Sequence, residues 1–237
     1  MILQFENSHM ARPSPSALEP RKTPRQARSA ATVAAIHEAM IQVLLAEGVA
    51  RLTTTRVAER AGVSVGTLYQ YFPHKEALLF ALVNKQVTSI AQAMEDAVAR
   101  LAGKPLAAIA EGLAEAWLDA KTADIVGARA VYGIAAEFDI AEMVKVETRR
   151  LELAVEAVLA TPCDVMVGRR RAAAFTLLAV MGGATRIVLE RGGQAEELAI
   201  LRAELPNVCR EYLAGCARAG RSVPQDAFAG AAASTLS

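Results

Sequence analysis

Apolar residues recur along this chain at intervals of three and four positions, and no stretch alternates convincingly between apolar and polar residues. The three-to-four spacing places apolar side chains along one face of an α-helix, whereas a half-buried β-strand needs strict alternation. Apolar residues make up 53% of the chain. We therefore predict an all-α protein.

Glycine and proline residues divide this pattern into separate helices. The N-terminal part is predicted to hold a helix over 29–47, two short helices, and a long helix over 75–101. The remaining helices are predicted over 106–121, 124–136, 140–160, 164–190 and 195–219. Pro206 lies inside the last of these and is expected to kink it.

The two short helices carry the most informative pattern, the string TTTRVAERAGVSVGTLYQYFPHKE over residues 53–76. Thr53 suits the N-cap of the first helix, and Gly62 suits the left-handed residue that ends it. Ala58 is small enough for the next helix to cross closely, and Ser64 suits the start of that helix. These features predict a helix-turn-helix whose second helix enters the major groove of DNA. An ordinary pair of core helices with a glycine cap is the alternative for such a turn.

The outward face of the second helix distinguishes these two interpretations. A solvated helix usually carries Lys and Glu there, whereas a helix in the groove needs small residues for close approach. It also needs hydroxyls and amides for phosphates and base edges. The outward residues predicted to contact DNA are Val65, Gly66, Thr67, Tyr69, Gln70 and Tyr71.

Residues on either side of this helix complete the predicted DNA-binding set. Thr54 and Thr55 open the preceding helix, where free backbone N–H groups can hold a phosphate. Lys75 opens the following helix and adds a cation. Ser64 and His74 flank the second helix and are included in the set.

The string resembles the TetR (tetracycline-repressor-like) family of bacterial regulators. The matching elements are Thr53, Val57-Ala58, Ala61-Gly62-Val63-Ser64, Gly66-Thr67-Leu68-Tyr69, Tyr71-Phe72 and Lys75-Glu76-Ala77-Leu78. The resemblance covers about residues 28 to 80. It implies DNA contacts at Thr54, Thr55, Val65, Gly66, Thr67, Tyr69, Tyr71 and Lys75. The chain departs from the family at Pro73-His74, where Ser or Asn is common, and histidine is expected to cap a helix less well.

Charge is distributed unevenly, although the net charge is only +1. Residues 1–85 contain 10 Lys and Arg against 6 Asp and Glu, and the remainder contains 16 against 19. This balance fits a DNA reader followed by a domain that does not bind DNA. Arg25 and Arg28 precede the first helix, where they form either a solvated tail or an arm that follows the DNA backbone or enters the minor groove.

The predicted organisation has four parts. Residues 1–27 form a vector-like leader and a disordered basic arm, and residues 28–80 form the helix-turn-helix domain. Residues 81–220 form a helical ligand-binding and dimerisation domain, and residues 221–237 form a disordered tail. No signal peptide is evident, and the apolar run 172–185 is too short to span a bilayer. We expect that run to be a buried helix, and we expect a cytoplasmic protein.

The last two long helices are candidates for a homodimer interface. Alanine and glycine over 172–183 allow close approach, and helix pairs of this kind form four-helix bundles across a two-fold axis. A purely intramolecular core is the alternative, and the family resemblance implies the dimer.

The middle helices are the candidate sensor for a small-molecule effector. Aromatic and polar residues scattered through an aliphatic region suggest an apolar cavity with a few polar groups. The predicted ligand-binding residues are Leu113, Trp117, Arg129, Tyr132, Phe138, Met143 and Phe175. The simpler explanation for each aromatic residue is that it belongs to the core.

These features favour a ligand-responsive repressor that binds a palindromic operator and is released from it by a small apolar molecule. The chain lacks a Ser/His/Asp arrangement, a cluster at metal-ligand spacing and a Gly-rich phosphate loop. We predict no enzyme, no metal and no cofactor. A sequence-tolerant architectural DNA binder remains the alternative. Cys163, Cys209 and Cys216 are interpreted as small buried residues in a reducing cytoplasm, with a redox-sensing thiol as the other possibility.

Overall fold

The structure is a computed structural model that describes residues 27–137 and 140–221. Within those ranges it contains helices and no strands, which confirms the all-α prediction. The helices, here numbered in chain order, are α1 (Ala27–Glu47), α2 (Thr54–Ala61), α3 (Val65–Tyr71), α4 (Lys75–Leu101), α5 (Leu106–Thr122), α6 (Ile125–Glu137), α7 (Ala141–Val158), α8 (Arg170–Glu190) and α9 (Ala195–Arg221).

Several predictions fall outside the described part of the chain. These are the leader and arm, including Arg25, the candidate ligand residue Phe138, and the tail after 221. The side chains of Arg28 and Met143 also lie outside it, although their backbones belong to α1 and α7.

The predicted helix bounds agree with the structure to within two residues, except at α8. This helix begins at Arg170 rather than at Asp164, because Asp164 caps a different helix. The Asp164 carboxylate accepts a hydrogen bond from the Leu106 backbone N–H at 2.9 Å and so caps α5. Arg169 then adopts a left-handed backbone, with φ of 50°, which prevents α8 from extending towards the N-terminus.

The chain divides into two compact units between Leu82 and Val83, inside α4. In the first unit α1 packs against α2, and α2 packs against α3. Its largest fully buried side chains are Ile36, Met40, Leu52, Leu68, Phe72 and Leu78. The two short helices therefore rest on a core supplied mainly by longer neighbours, since helices of eight and seven residues are not stable alone.

In the second unit α5 packs along α9, and α8 contacts α5, α6, α7 and α9. The buried face of α8 includes Ala173, Leu177 and Met181, which join the core. The expectation of a buried helix over 172–185 holds for this face only, because the opposite face of α8 is exposed: Phe175 is 61% exposed and Ile187 is 54% exposed.

Two helices have the length and apolar composition of a bilayer span, residues 29–47 of α1 and the whole of α8. Both contribute buried residues to the helical cores described above. A core helix has the same length and composition as a span.

Candidate nucleic-acid interface and the aromatic cluster of the second unit

Both ends of α2 are capped by the residues that the sequence predicts for these roles. The Thr53 hydroxyl accepts from the Arg56 backbone N–H at 3.2 Å. At the other end Gly62 is left-handed, with φ of 67°. Its N–H bonds to the Glu59 carbonyl at 3.2 Å, and the Val63 N–H bonds to the Ala58 carbonyl at 3.0 Å. This pair of bonds is a Schellman motif, which turns the chain sharply towards α3.

Helix α3 begins with a second cap and buries one narrow face. The Ser64 hydroxyl accepts from the Thr67 N–H at 3.0 Å, and the two hydroxyl oxygens lie 2.8 Å apart. Leu68 is fully buried, and Phe72 at the end of the helix is also buried. The other residues of α3 are exposed or half-buried.

The outward face of α3 agrees with the predicted composition. Gly66, Tyr69 and Gln70 are exposed, and Val65, Thr67 and Tyr71 are half-buried. On α2, Thr54 is half-buried and Thr55 is exposed. The Thr54 and Tyr69 hydroxyl oxygens lie 3.1 Å apart. This hydrogen bond joins the start of α2 to the middle of α3, so the two groups of predicted contacts form one surface.

The two residues at the start of α4 have structural partners that the sequence did not reveal. The Lys75 ammonium donates to the Val49 carbonyl at 2.6 Å, and the Lys75 side chain is half-buried. His74 caps α4, because its Nδ1 accepts from the Ala77 N–H at 3.2 Å. The expectation of a poorer cap therefore overlooked the ring nitrogen. The same Nδ1 lies 3.2 Å from a Glu76 carboxylate oxygen.

The arginines of α2 are also used within the first unit. Arg56 pairs with Glu47 at the end of α1, and Arg60 Nε donates to the Gln42 side chain at 2.6 Å. These bonds fasten α2 to α1. Both arginines of α2 therefore have bonding partners within the first unit.

In the second unit, two predicted ligand residues meet around a lysine that sequence reasoning missed. The Lys121 ammonium lies 5.1 Å from the centre of the Trp117 ring and 5.4 Å from that of Tyr132. It donates to the Tyr132 hydroxyl at 3.4 Å. The Arg186 guanidinium lies 5.9 Å from the Tyr132 ring. We call Trp117, Lys121, Tyr132 and Arg186 the aromatic cluster. The spacing of four residues from Trp117 to Lys121 was the available signal.

The other predicted ligand residues with described side chains serve the core or are exposed. Leu113 is fully buried in the core, Arg129 is exposed on α6, and Phe175 lies on the exposed face of α8. No group of three or more His, Cys, Asp or Glu residues in the described ranges has the arrangement of a metal site. Cys209 is buried, Cys216 is half-buried and Cys163 is exposed, and burial raises the pKa of the Cys209 thiol to about 11.

Comparison with known proteins agrees with both units. The family model "Bacterial regulatory proteins, tetR family" matches residues 30–82, and the model "Tetracyclin repressor-like, C-terminal domain" matches residues 105–213. None of the curated proteins matches the sequence.

Several solved structures share the fold at low sequence identity. A putative TetR-family regulator from Mesorhizobium loti superposes with a TM-score of 0.64 at 16% identity, covering 80% of this chain and 98% of that one. SmeT, the repressor of a Stenotrophomonas maltophilia multidrug efflux pump, was solved with triclosan. It gives 0.62 at 21% identity, over 82% and 96% of the two chains. Bacillus subtilis FadR in complex with stearoyl-CoA gives 0.59 at 15% identity, over 77% and 98%.

The matches together span both units, and the helix-turn-helix geometry agrees with the first of them. The family consists of DNA-binding regulators rather than enzymes. This chain belongs to the TetR family of bacterial transcriptional regulators.

Proposed function

We propose that this regulator is a dimeric repressor that binds a palindromic operator and is released from it by a small molecule. The observation that carries the proposal is the outward face of α3, which presents short and neutral side chains and is joined to α2 by the Thr54–Tyr69 hydrogen bond. Such a face suits close approach to base edges better than exposure to solvent.

The proposed DNA contacts of the helix-turn-helix fall into two classes, contacts with bases and contacts with phosphates. The Gln70 amide is exposed and matches the donor and acceptor pair of an adenine edge. Gly66 lets the helix approach closely, and Val65 suits a thymine methyl group. The hydroxyl side chains suit phosphate oxygens: Thr54, Thr55, Ser64, Thr67, Tyr69 and Tyr71.

The start of α4 has a supporting role in this proposal. We assign Lys75 and His74 to holding the helix-turn-helix in shape, since their polar atoms already have partners in Val49 and Ala77. Arg25 keeps its proposed role in an arm along the DNA. Arg28, whose backbone lies in the first turn of α1, is proposed to add a cation from there, and both contribute affinity that depends on salt.

Dimerisation is proposed through α8 and α9. The exposed face of α8 carries Phe175, Val180 and Ile187, and α9 exposes Ile200 and Val208. Exposed apolar side chains concentrated on two neighbouring helices support the proposal of an interface there. A dimer would present two α3 helices to half-sites about 34–36 Å apart, or a multiple of that spacing.

The effector is proposed to bind in the second unit, near the aromatic cluster. Structures of this fold have been solved with triclosan and with stearoyl-CoA, two molecules that each have a large apolar part, which supports this proposal. Helix α4 runs without a break from the first unit into the second and is the proposed lever. Release requires that the effector bind the two states with different affinity, and operator DNA must then weaken effector binding by the same factor.

The DNA-binding part is tested by selecting genomic fragments with the full chain and measuring their affinity in gel shifts at two salt concentrations. We expect Gln70→Ala to weaken binding to the selected site by about tenfold or more, because a bidentate base contact contributes about 1–3 kcal/mol. Gln92→Ala is the matched control, since Gln92 is an exposed glutamine on α4 in the second unit. Equal affinity for selected and random DNA would identify an architectural binder instead.

The dimer is tested by sedimentation of Phe175→Asp. A charge placed in an apolar interface should shift the protein to monomers at micromolar concentration. Val146→Asp is the control, because Val146 is 72% exposed and belongs to α7, which is not one of the two helices of the proposed interface. If Phe175→Asp remains dimeric, or if the wild-type chain is monomeric, the proposed interface is wrong.

A further inference from the structure

Lys121 occupies an unusual position among the cations of the second unit. It follows Trp117 by one helical turn on α5, so both side chains lie on the same face. Its ammonium lies against the rings of Trp117 and of Tyr132 from α6. A cation between two aromatic rings is attracted to their faces, but these rings supply no counter-charge.

Among the side chains that the structure describes, no carboxylate lies within 4.0 Å of the Lys121 ammonium. Asp119 is two residues away on α5 and pairs with Arg202 at 2.7 Å. The Asp124 carboxylate accepts from the Gly127 N–H at 2.8 Å at the start of α6. The acidic side chains closest in sequence are thus engaged elsewhere.

A second cation adds positive charge at the same ring. The Arg186 guanidinium lies beside the Tyr132 ring, and Arg186 is exposed on α8. Glu190, one turn further along α8, accepts from Arg186 Nε at 2.7 Å. Among the described side chains, Glu190 is thus the single carboxylate paired with either cation beside Tyr132, and its partner is Arg186 rather than Lys121.

The polar groups of the cluster are not all available to a ligand. The Trp117 indole N–H donates to the Thr185 hydroxyl at 3.0 Å, and Thr185 donates to the Met181 carbonyl at 2.7 Å. These bonds fix the indole ring. The Tyr132 oxygen accepts from Lys121, which leaves the Tyr132 O–H to donate to a further acceptor.

The position of Lys121 is unfavourable for a charged side chain. Burial lowers the pKa of Lys121 to about 8, because desolvation disfavours the charged ammonium. A methionine would fill similar space without that penalty. Ionisable groups perturbed by burial are concentrated at functional sites. The chemical group that would compensate both cations and accept from Tyr132 is an anion.

We propose that Lys121 and Tyr132 bind the carboxylate of an amphipathic effector, with Arg186 contributing positive charge at the outer side. This rests on the effector response proposed above and names the chemical class of the effector. The carboxylate would ion-pair with the Lys121 ammonium and accept the Tyr132 O–H. The apolar remainder of the effector would lie against the aromatic rings.

Binding of the anion requires the protonated form of Lys121. Affinity should therefore be highest below pH 8 and fall by about tenfold per pH unit above it, until the raised pKa of the bound state is reached. Arg186 and Glu190 on α8 and the Tyr132 hydroxyl also face the cluster. Burial raises the pKa of Tyr132, and the hydrogen bond to Glu190 raises the pKa of Arg186, so both groups keep their protons between pH 7 and pH 9.

The test uses decanoate and its neutral analogue decanamide with the full chain. Trp117 is the only tryptophan of the chain, so its fluorescence reports directly on the cluster. We expect decanoate to bind at least about tenfold more tightly than decanamide, since charge-assisted hydrogen bonds contribute about 1.5–3 kcal/mol. Lys121→Met should weaken decanoate binding by a similar factor and leave decanamide binding unchanged. Lys104→Met is the matched control, because Lys104 is an exposed lysine of the same unit.

The outcomes separate this inference from the effector response. Equal affinity of the two probes, absence of decanoate binding at millimolar concentration, or no effect of Lys121→Met in a variant with wild-type circular dichroism would each overturn the anion site. Lys121-dependent binding of decanoate that leaves the selected DNA bound would support the anion site and contradict the effector response. Release of DNA by decanamide as effectively as by decanoate would support the effector response and contradict the anion site.

Discussion

The tie between Lys75 and Val49 gives a prediction that separates a structural lysine from one that binds phosphate. Val49 is buried, with 2% of its surface exposed, and its carbonyl accepts from the Lys75 ammonium at 2.6 Å. Lys75→Met keeps most of the apolar stem and removes the donor. A hydrogen bond to a charged group contributes about 1.5–3 kcal/mol, and the half-buried position favours the lower end, about 1.5 kcal/mol.

The loss of stability is measured by urea denaturation followed by circular dichroism, because the single tryptophan lies in the second unit and does not report on the first. Lys85→Met is the control, since Lys85 is exposed further along α4. DNA binding is measured in parallel as a function of salt. A lysine that binds phosphate should reduce the salt slope by about 1 when removed, and we expect a smaller change for Lys75→Met.

Two results together would refute this reasoning. They are an unchanged urea midpoint in Lys75→Met and a salt slope that falls by about one unit. The lysine would then act on the DNA backbone, and its contact with Val49 would contribute nothing to stability.

Three further predictions concern single contacts. Gly62→Ala should lower the free energy of unfolding by about 1–2 kcal/mol in urea titrations, because an L side chain is disfavoured at φ of 67°; a change below the error of the titration would contradict the role of the turn. Thr54→Val removes the hydroxyl that meets Tyr69, and we expect weaker operator binding in gel shifts with an unchanged melting temperature. A lower melting temperature would show that the bond serves the fold. Thr185→Val leaves the buried Trp117 N–H without its acceptor and should cost about 1–3 kcal/mol, measured from the urea midpoint of Trp117 fluorescence; an unchanged midpoint would mean that the indole finds another partner.

Much of the DNA-binding unit could be predicted from sequence because its signals are local. Thr53, Gly62 and Ser64 act within three to five residues of their own positions, and the structure shows each in the expected role. The outward face of α3 was predictable for the same reason. Once Leu68 faces inward, the helical period decides where its neighbours point.

The sequence was less informative where a polar group finds its partner far along the chain. Asp164 has the look of a helix start, yet it caps α5, 58 residues away. Lys75 suggests a phosphate ligand, yet its ammonium meets a carbonyl 26 residues away. Hydrogen-bonding capacity can be read from the residue type, but the partner depends on which segments the fold brings together.

The aromatic cluster likewise combines residues that the sequence identified with contacts that it did not indicate. Trp117 and Tyr132 were identified as unusual residues, but nothing local indicated that both would lie against Lys121, or that Phe175 would lie on the exposed face of α8. The sequence by itself determined the helical class, the turn of the DNA-binding unit and the family, because periodicity, caps and motif residues act over a few positions. Only the tertiary structure decided which described cations have no carboxylate as an ion-pair partner and which apolar helix faces are exposed to solvent. Both depend on packing between helices that are distant in sequence.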